Sequence, residues 1–341
     1  MKESNSKKFS SSKLLIKSIN SFYENSYSLS IKYLKSYLKN QKNNLSTKTI
    51  DFILELIVKL TELKKYKYVI DISEFIIEHL ENIDEFVIVV STSLGIAYNN
   101  MKKYHKALDI FLDLLNEYPE NANLYYLIGI TYENQELYSK SIKYYQQALT
   151  YEPDNLEILH NIRYVFQITE KYNELNAICQ KILTISVDDL KALNSLAIIY
   201  IHKEEYETAI EVLKRVIDYK NDFVDAWYNL GVAYSAIKKY QKAIEAFNIV
   251  IELDPHNIEA SRFLGKTYFE NENYEDSLEI YEILLEKDGH KYVYLFGIAI
   301  SHFYLYNFKI ALKYLNMALD VKPKSEEALY LKETILSFSN V

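Results

Sequence analysis

The residues of this chain that could ligate a metal or attack a carbonyl are seven histidines and a single cysteine in 341 residues. His256 and His290 lie 34 residues apart, yet no His-x3-His or His-Glu-x2-His pairing occurs. Two imidazoles without a carboxylate or thiolate cluster do not make a zinc site. Cys179 falls among apolar neighbours at helical spacing, where a small buried thiol packs. A nucleophile would need a nearby base and a pocket. Glu204-Glu205 and Glu270-Asn271-Glu272 bring carboxylates together. Such pairs can do acid–base work, but these fall in segments read as solvated turns. The six glycines form neither Gly-x-Gly-x-x-Gly nor a phosphate-binding loop. The expectation is a chain without catalytic, cofactor-binding or metal-binding residues, and not an enzyme.

Composition narrows the scaffold. Apolar residues make up 49% of the chain, whereas Gly (6) and Pro (4) are scarce. That combination supports a long buried core and disfavours disorder or a turn-rich β fold. The 33 tyrosines suit half-buried faces, because the ring packs while the hydroxyl stays wet. The net charge of −8, with 39 Lys and Arg spread through the chain, disfavours a non-specific nucleic-acid binder. The basic, Ser-rich start (Lys2, Lys7, Lys8) has no long apolar run behind it, so a secretory signal is not expected. No stretch approaches the roughly 18 apolar residues of a membrane span. A lone cysteine fits a reducing compartment, and a cytoplasmic location is expected.

The elements that position these residues are announced by a period. Pro119, Pro153, Pro255 and Pro323 are separated by 34, 102 and 68 residues, all multiples of 34. Gly95, Gly129, Gly231 and Gly265 keep the same phase. The clearest unit, 224–257, carries Trp227, Leu230, Gly231, Tyr234, Tyr240, Ala243, Phe247, Val250 and Pro255 at positions 4, 7, 8, 11, 17, 20, 24, 27 and 32. Positions 4, 7, 8 and 11 share one face of a first helix, and 20, 24 and 27 one face of a second. Position 8 is small where the two helices approach, and Pro at 32 ends the second helix.

This pattern resembles the tetratricopeptide repeat (TPR), including its Trp-x2-Leu-Gly-x2-Tyr opening. The resemblance implies an all-α solenoid of antiparallel helix hairpins coiled into a right-handed superhelix. Nine units are placed at 11–44, 50–83, 88–121, 122–155, 156–189, 190–223, 224–257, 258–291 and 292–325. A flexible tail is expected at 1–10, and a capping helix with its tail at 326–341. Arg163 and Leu175 depart from the small residues expected at positions 8 and 20, and His302 takes position 11 of its unit.

By the same resemblance, first helices line a concave face and positions 2, 5, 9, 12 and 13 point into it. A chaperone-type carboxylate clamp would need Lys at 5 and Asn at 9 of one unit, and no unit offers that pair. An asparagine ladder at position 6 is limited to Asn161 and Asn229. What remains is a mostly apolar, aromatic groove between Tyr126 and Tyr304, with candidate partner-binding residues Tyr126, Tyr164, Asn194, Tyr228, Arg262, Lys266, Phe296, Phe303 and Tyr304. Arg262 and Lys266 form its basic spot. The function implied is a non-catalytic scaffold or adaptor that binds a peptide or amphipathic helix of another protein. The alternatives are a substrate-recruiting subunit of an enzyme complex and a nucleic-acid-associated regulator. Neither nucleic acid nor membrane is expected as partner. The sequence leaves the oligomeric state open.

Overall fold

A computed structural model describes residues 2–39, 41, 45–79 and 84–339 of the chain. Met1, Asn40, the segments 42–44 and 80–83, and the tail at 340–341 lie outside the described residues. Among those described, every regular element is a helix, from α1 (Lys2–Tyr23) to α19 (Glu326–Ser339). The contacts divide the chain into two compact units, Met1–Val165 and Phe166–Val341.

The first unit holds four antiparallel pairs: α1 with α2 (Tyr27–Leu38), α3 (Thr47–Glu62) with α4 (Tyr66–His79), α5 (Asp84–Asn100) with α6 (Tyr104–Glu117), and α7 (Ala122–Glu133) with α8 (Tyr138–Tyr151). Most of α9 (Leu156–Ile168) follows them. One core joins Leu34, Ile53, Leu56, Ile57 and Ile72, and a second joins Phe111, Leu124 and Ile128. The segment 2–10, expected as a tail, continues α1 as helix. No glycine or proline interrupts residues 1–24, so nothing in the sequence stops that helix.

The second unit continues with α10 (Tyr172–Ile185), α11 (Leu190–His202), α12 (Tyr206–Tyr219), α13 (Val224–Ala236), α14 (Tyr240–Leu253), α15 (Ile258–Glu270), α16 (Tyr274–Asp288), α17 (Tyr292–Tyr304), α18 (Phe308–Val321) and α19. Each first helix packs on its own second helix and also touches the next first helix: α11 meets α13, α13 meets α15, α15 meets α17 and α17 meets α19. Leu213, Leu230, Phe247, Val250 and Leu264 form the largest core of this unit.

Local chemistry sets the helix limits. Asn121 and Asp189 accept hydrogen bonds from the Leu124 and Ala192 amides at 3.1 and 2.8 Å, capping α7 and α11. Asn257 and Ser325 act likewise on the Ala260 and Ala328 amides. These caps satisfy amides that have no partner inside the helix. Helices α6, α8, α14 and α18 each stop two residues before a proline. Gly289 takes the proline position after α16 with φ +83°, a left-handed conformation that glycine adopts without Cβ strain.

The hairpin turns have a less obvious origin. In nine of them the residue two before the second helix is left-handed: Asn25, Lys64, Lys102, Glu136, Glu170, Glu204, Lys238, Glu272 and Tyr306, with φ from 54 to 62°. None is glycine. The next amide reaches back five residues to close the first helix, as Glu205 N–H does to the Tyr200 carbonyl at 2.8 Å. This is the six-to-one bond of a Schellman ending. It recurs from Lys65 to Leu60 and from Lys239 to Tyr234, holding each turn despite the cost of a Cβ at positive φ.

Candidate functional site

In the first unit, the face of α7 and α9 centres on a chain of polar groups. Asn161 donates to the hydroxyls of Tyr126 and Tyr145, each at 3.3 Å. Tyr126 donates to Glu157 Oε1 at 2.8 Å, and Tyr145 to Glu133 Oε2 at 2.6 Å. Burial raises the Tyr126 and Tyr145 hydroxyls above the usual phenol range, and Glu157 and Glu133 add to it. Burial also raises the Glu133 carboxyl, against the opposing hydrogen bond from Tyr145. Tyr126 is therefore half-buried and engaged. Tyr164 on α9 stands 46% exposed. The sequence signal for this network is Asn161 itself, a polar residue at a position that faces the neighbouring first helix.

In the second unit the expected groove residues divide into three kinds. Asn194 is buried, a correction to the exposure expected at position 5. The Asn229 amide crosses from the next first helix to bond its Oδ1 at 3.0 Å, so the pair satisfies itself inside the packing. Tyr228 is half-buried, edge-on to Phe263 and Phe247 with centroids 5.6 and 6.0 Å apart. Burial raises its hydroxyl above the phenol range.

Arg262 and Lys266 lie on α15, but not as a free basic spot. Arg262 donates through Nε and Nη2 to Glu259 Oε2 at 2.9 and 2.6 Å, while its guanidinium covers Phe263 at 4.6 Å. Lys266 pairs with Glu270 at 3.4 Å. The acidic partners stand three residues before and four after on the same helix, where side chains meet.

The third kind is aromatic and partly exposed. Tyr304, 45% exposed, stacks on Tyr274 with centroids 4.8 Å apart, and Phe269 meets it edge-on at 5.4 Å. Phe303 adjoins Tyr304 and reaches Phe308 and Phe338. Phe296 stacks on Tyr292 at 5.6 Å. Offset and edge contacts of this kind fix the rings while leaving their outer surface available.

Among the described residues no three His, Cys, Asp or Glu side chains gather in a metal-holding arrangement. No described helix is long and apolar enough to cross a membrane. Cys179 is fully buried.

The hairpin geometry and the comparisons with known proteins agree on the class. Residues 224–257, 122–155 and 93–121 match models of the tetratricopeptide repeat, and residues 198–238 match a TPR repeat model. The chain carries tetratricopeptide repeats across residues 93–257, within an all-α solenoid architecture. No curated protein matches it in sequence. Among solved structures, the chain resembles that of the Cut9–Hcn1 hetero-tetramer of APC/C, with TM-score 0.59 and 16% identity over 91% of this chain and 64% of that one. A tetratricopeptide repeat protein from Parabacteroides merdae gives TM-score 0.56 and 14% identity over 73% of this chain and 98% of that one. PilF of Pseudomonas aeruginosa gives 0.54 and 16% over 62% and 97%. At these identities the likeness is one of fold.

Proposed function

We propose that this protein is a non-catalytic interaction scaffold that receives an extended or helical segment of a partner protein on the first-helix face of its second unit. Support comes from the repeat family and from the occurrence of the fold in a hetero-tetrameric assembly. The observation that carries the reading is the exposed Tyr304 at the end of α17, set in an aromatic cluster with the partly buried Phe269, Tyr274 and Phe303 of consecutive hairpins. Aromatic anchors supply contact area at low entropic cost. With Arg262 and Lys266 already paired to Glu259 and Glu270, apolar contact rather than charge selects the ligand here. Tyr164 offers a separate anchor on the first unit.

The test is photocrosslinking in the native lysate. Tyr304→p-benzoylphenylalanine should give partner adducts that are absent when the same group replaces Glu211, an exposed residue of a second helix. Adducts from Glu211 and none from Tyr304 would refute the reading.

A further inference from the structure

A group of cations without an acidic partner lies on another surface. Residues 1–67 contain fourteen lysines, no arginine and five acidic residues, a net of nine positive charges. The whole chain nonetheless carries −8. The lysines are thus not evenly spread. Three of them, Lys64, Lys65 and Lys67, stand together at the turn of the second hairpin, and Lys102 and Lys103 follow at the turn of the third.

Two clefts of about 530 and 440 Å³ run along this edge. The first is lined by Ser26, Tyr27, Ser28, Lys32 and Lys65, and the second by Lys64, Lys65, Lys67 and Met101; Lys65 and Tyr68 line both. No acidic side chain lines either one. Among the described residues, Lys32, Lys64, Lys65 and Lys67 enter no ion pair, whereas Lys35 and Lys59 nearby are held by Asp71 and Glu62. All four are exposed. The Lys65 ammonium sits 5.4 Å over the Tyr27 ring, which steers it along the trough.

We infer that this trough, on the turn edge of the first three hairpins, is a second docking site and takes an acidic peptide segment of a partner protein. Free ammonium groups beside serine hydroxyls and phenols match a chain of carboxylates, through charge-assisted hydrogen bonds. The donors line two open clefts that share Lys65 and Tyr68, a continuous run that suits one extended chain. A long nucleic acid would run on past the trough across a remainder in which acidic residues outnumber basic ones, and would be repelled there. The site is independent of the aromatic face of the second unit.

Fluorescence anisotropy of the full chain tests it. The probe is a labelled peptide of alternating Glu and Ala, about twelve residues long, beside its Gln-for-Glu counterpart, single-stranded DNA of equal length, and phosphatidylserine-containing vesicles. The Glu peptide should bind above the other three and weaken as salt rises. Lys64→Glu with Lys65→Glu should reduce its affinity at least about tenfold. Lys64→Gln with Lys65→Gln should act in the same direction with unchanged helicity by circular dichroism. Lys238→Glu with Lys239→Glu, the same dipeptide in a later turn, should leave it unchanged. Equal binding of the Gln peptide, tighter binding of DNA or vesicles, or an equal effect from the Lys238 and Lys239 pair would each overturn the proposal. The Tyr304 crosslinks are unaffected by any of these outcomes.

Discussion

Gly231 lies directly over the ring of Phe247: a Cβ on the glycine would stand 2.6 Å from the Phe247 Cε1 atom. The two residues are positions 8 and 24 of one hairpin, and the same pairing recurs as Gly95 with Phe111 and Gly129 with Tyr145. Where position 24 shrinks to Leu213 or Leu315, position 8 grows to Ala197 or Ala299. In the second hairpin the sizes are reversed, with Ile57 at position 8 and Ser73 at position 24, both buried. The two side chains fill one shared volume, as close packing requires.

Gly231→Ala should therefore destabilise the array by about 1–3 kcal/mol through overpacking. Phe247→Leu alone should cost about 1–2 kcal/mol through the space it leaves. Together they recreate the Ala197–Leu213 combination, so the double variant should be less destabilised than the sum of the two singles by about 1 kcal/mol or more. Urea unfolding of the four proteins measures the coupling. Strict additivity would mean that the two side chains do not share the volume.

The left-handed turn residues make a second prediction. Glu204 sits at φ 61° with a Cβ that this conformation resists. Glu204→Gly should raise stability by about 1 kcal/mol, because the glycine fits the helix ending. An unchanged or lower melting temperature would show that the side chain holds the turn by other means.

His302 is buried at a position where Tyr200, Tyr234 and Tyr268 stand in earlier hairpins. Burial lowers its pKa below the ordinary 6.5. The folded state thus binds the proton less readily than the unfolded chain. Stability from this group is present above the unfolded pKa and is lost as pH falls below it. His302→Tyr should flatten the stability profile between about pH 7 and pH 5. If the variant and the parent lose stability in parallel there, His302 does not govern the window.

On the proposed docking face, Tyr304→Ala should weaken partner binding by about 1–2 kcal/mol with little loss of stability, since the ring is 45% exposed. Tyr228→Ala should instead cost stability as well, because its ring is wedged between Phe247 and Phe263. Isothermal titration with the crosslinked partner, paired with urea unfolding, separates the two. Equal binding losses with equal destabilisation would refute the distinction.

The period of the prolines and glycines made the helical hairpins legible, because both residue types act on the backbone locally. The turns were less so. Lys64, Glu204 and Tyr306 carry no preference for positive φ, and the bond from the following amide, rather than the residue type, sets the conformation. The docking face was legible only in part. Glu259 and Glu270 stand at helical spacing from Arg262 and Lys266, so their ion pairs were readable in the sequence. The burial of Asn194 was not, since it depends on Asn229 reaching over from the next first helix, 35 residues on.

The size-matched pair at positions 8 and 24 also bears on how the chain is made. Its two members are sixteen residues apart, as Gly231 and Phe247 show. Fit can therefore be judged inside one hairpin, as soon as about one repeat has left the ribosome, with no distant segment required. Such short-range proofreading keeps loop closure inexpensive and folding fast. An error of fit would stay confined to the hairpin that carries it and its immediate neighbours.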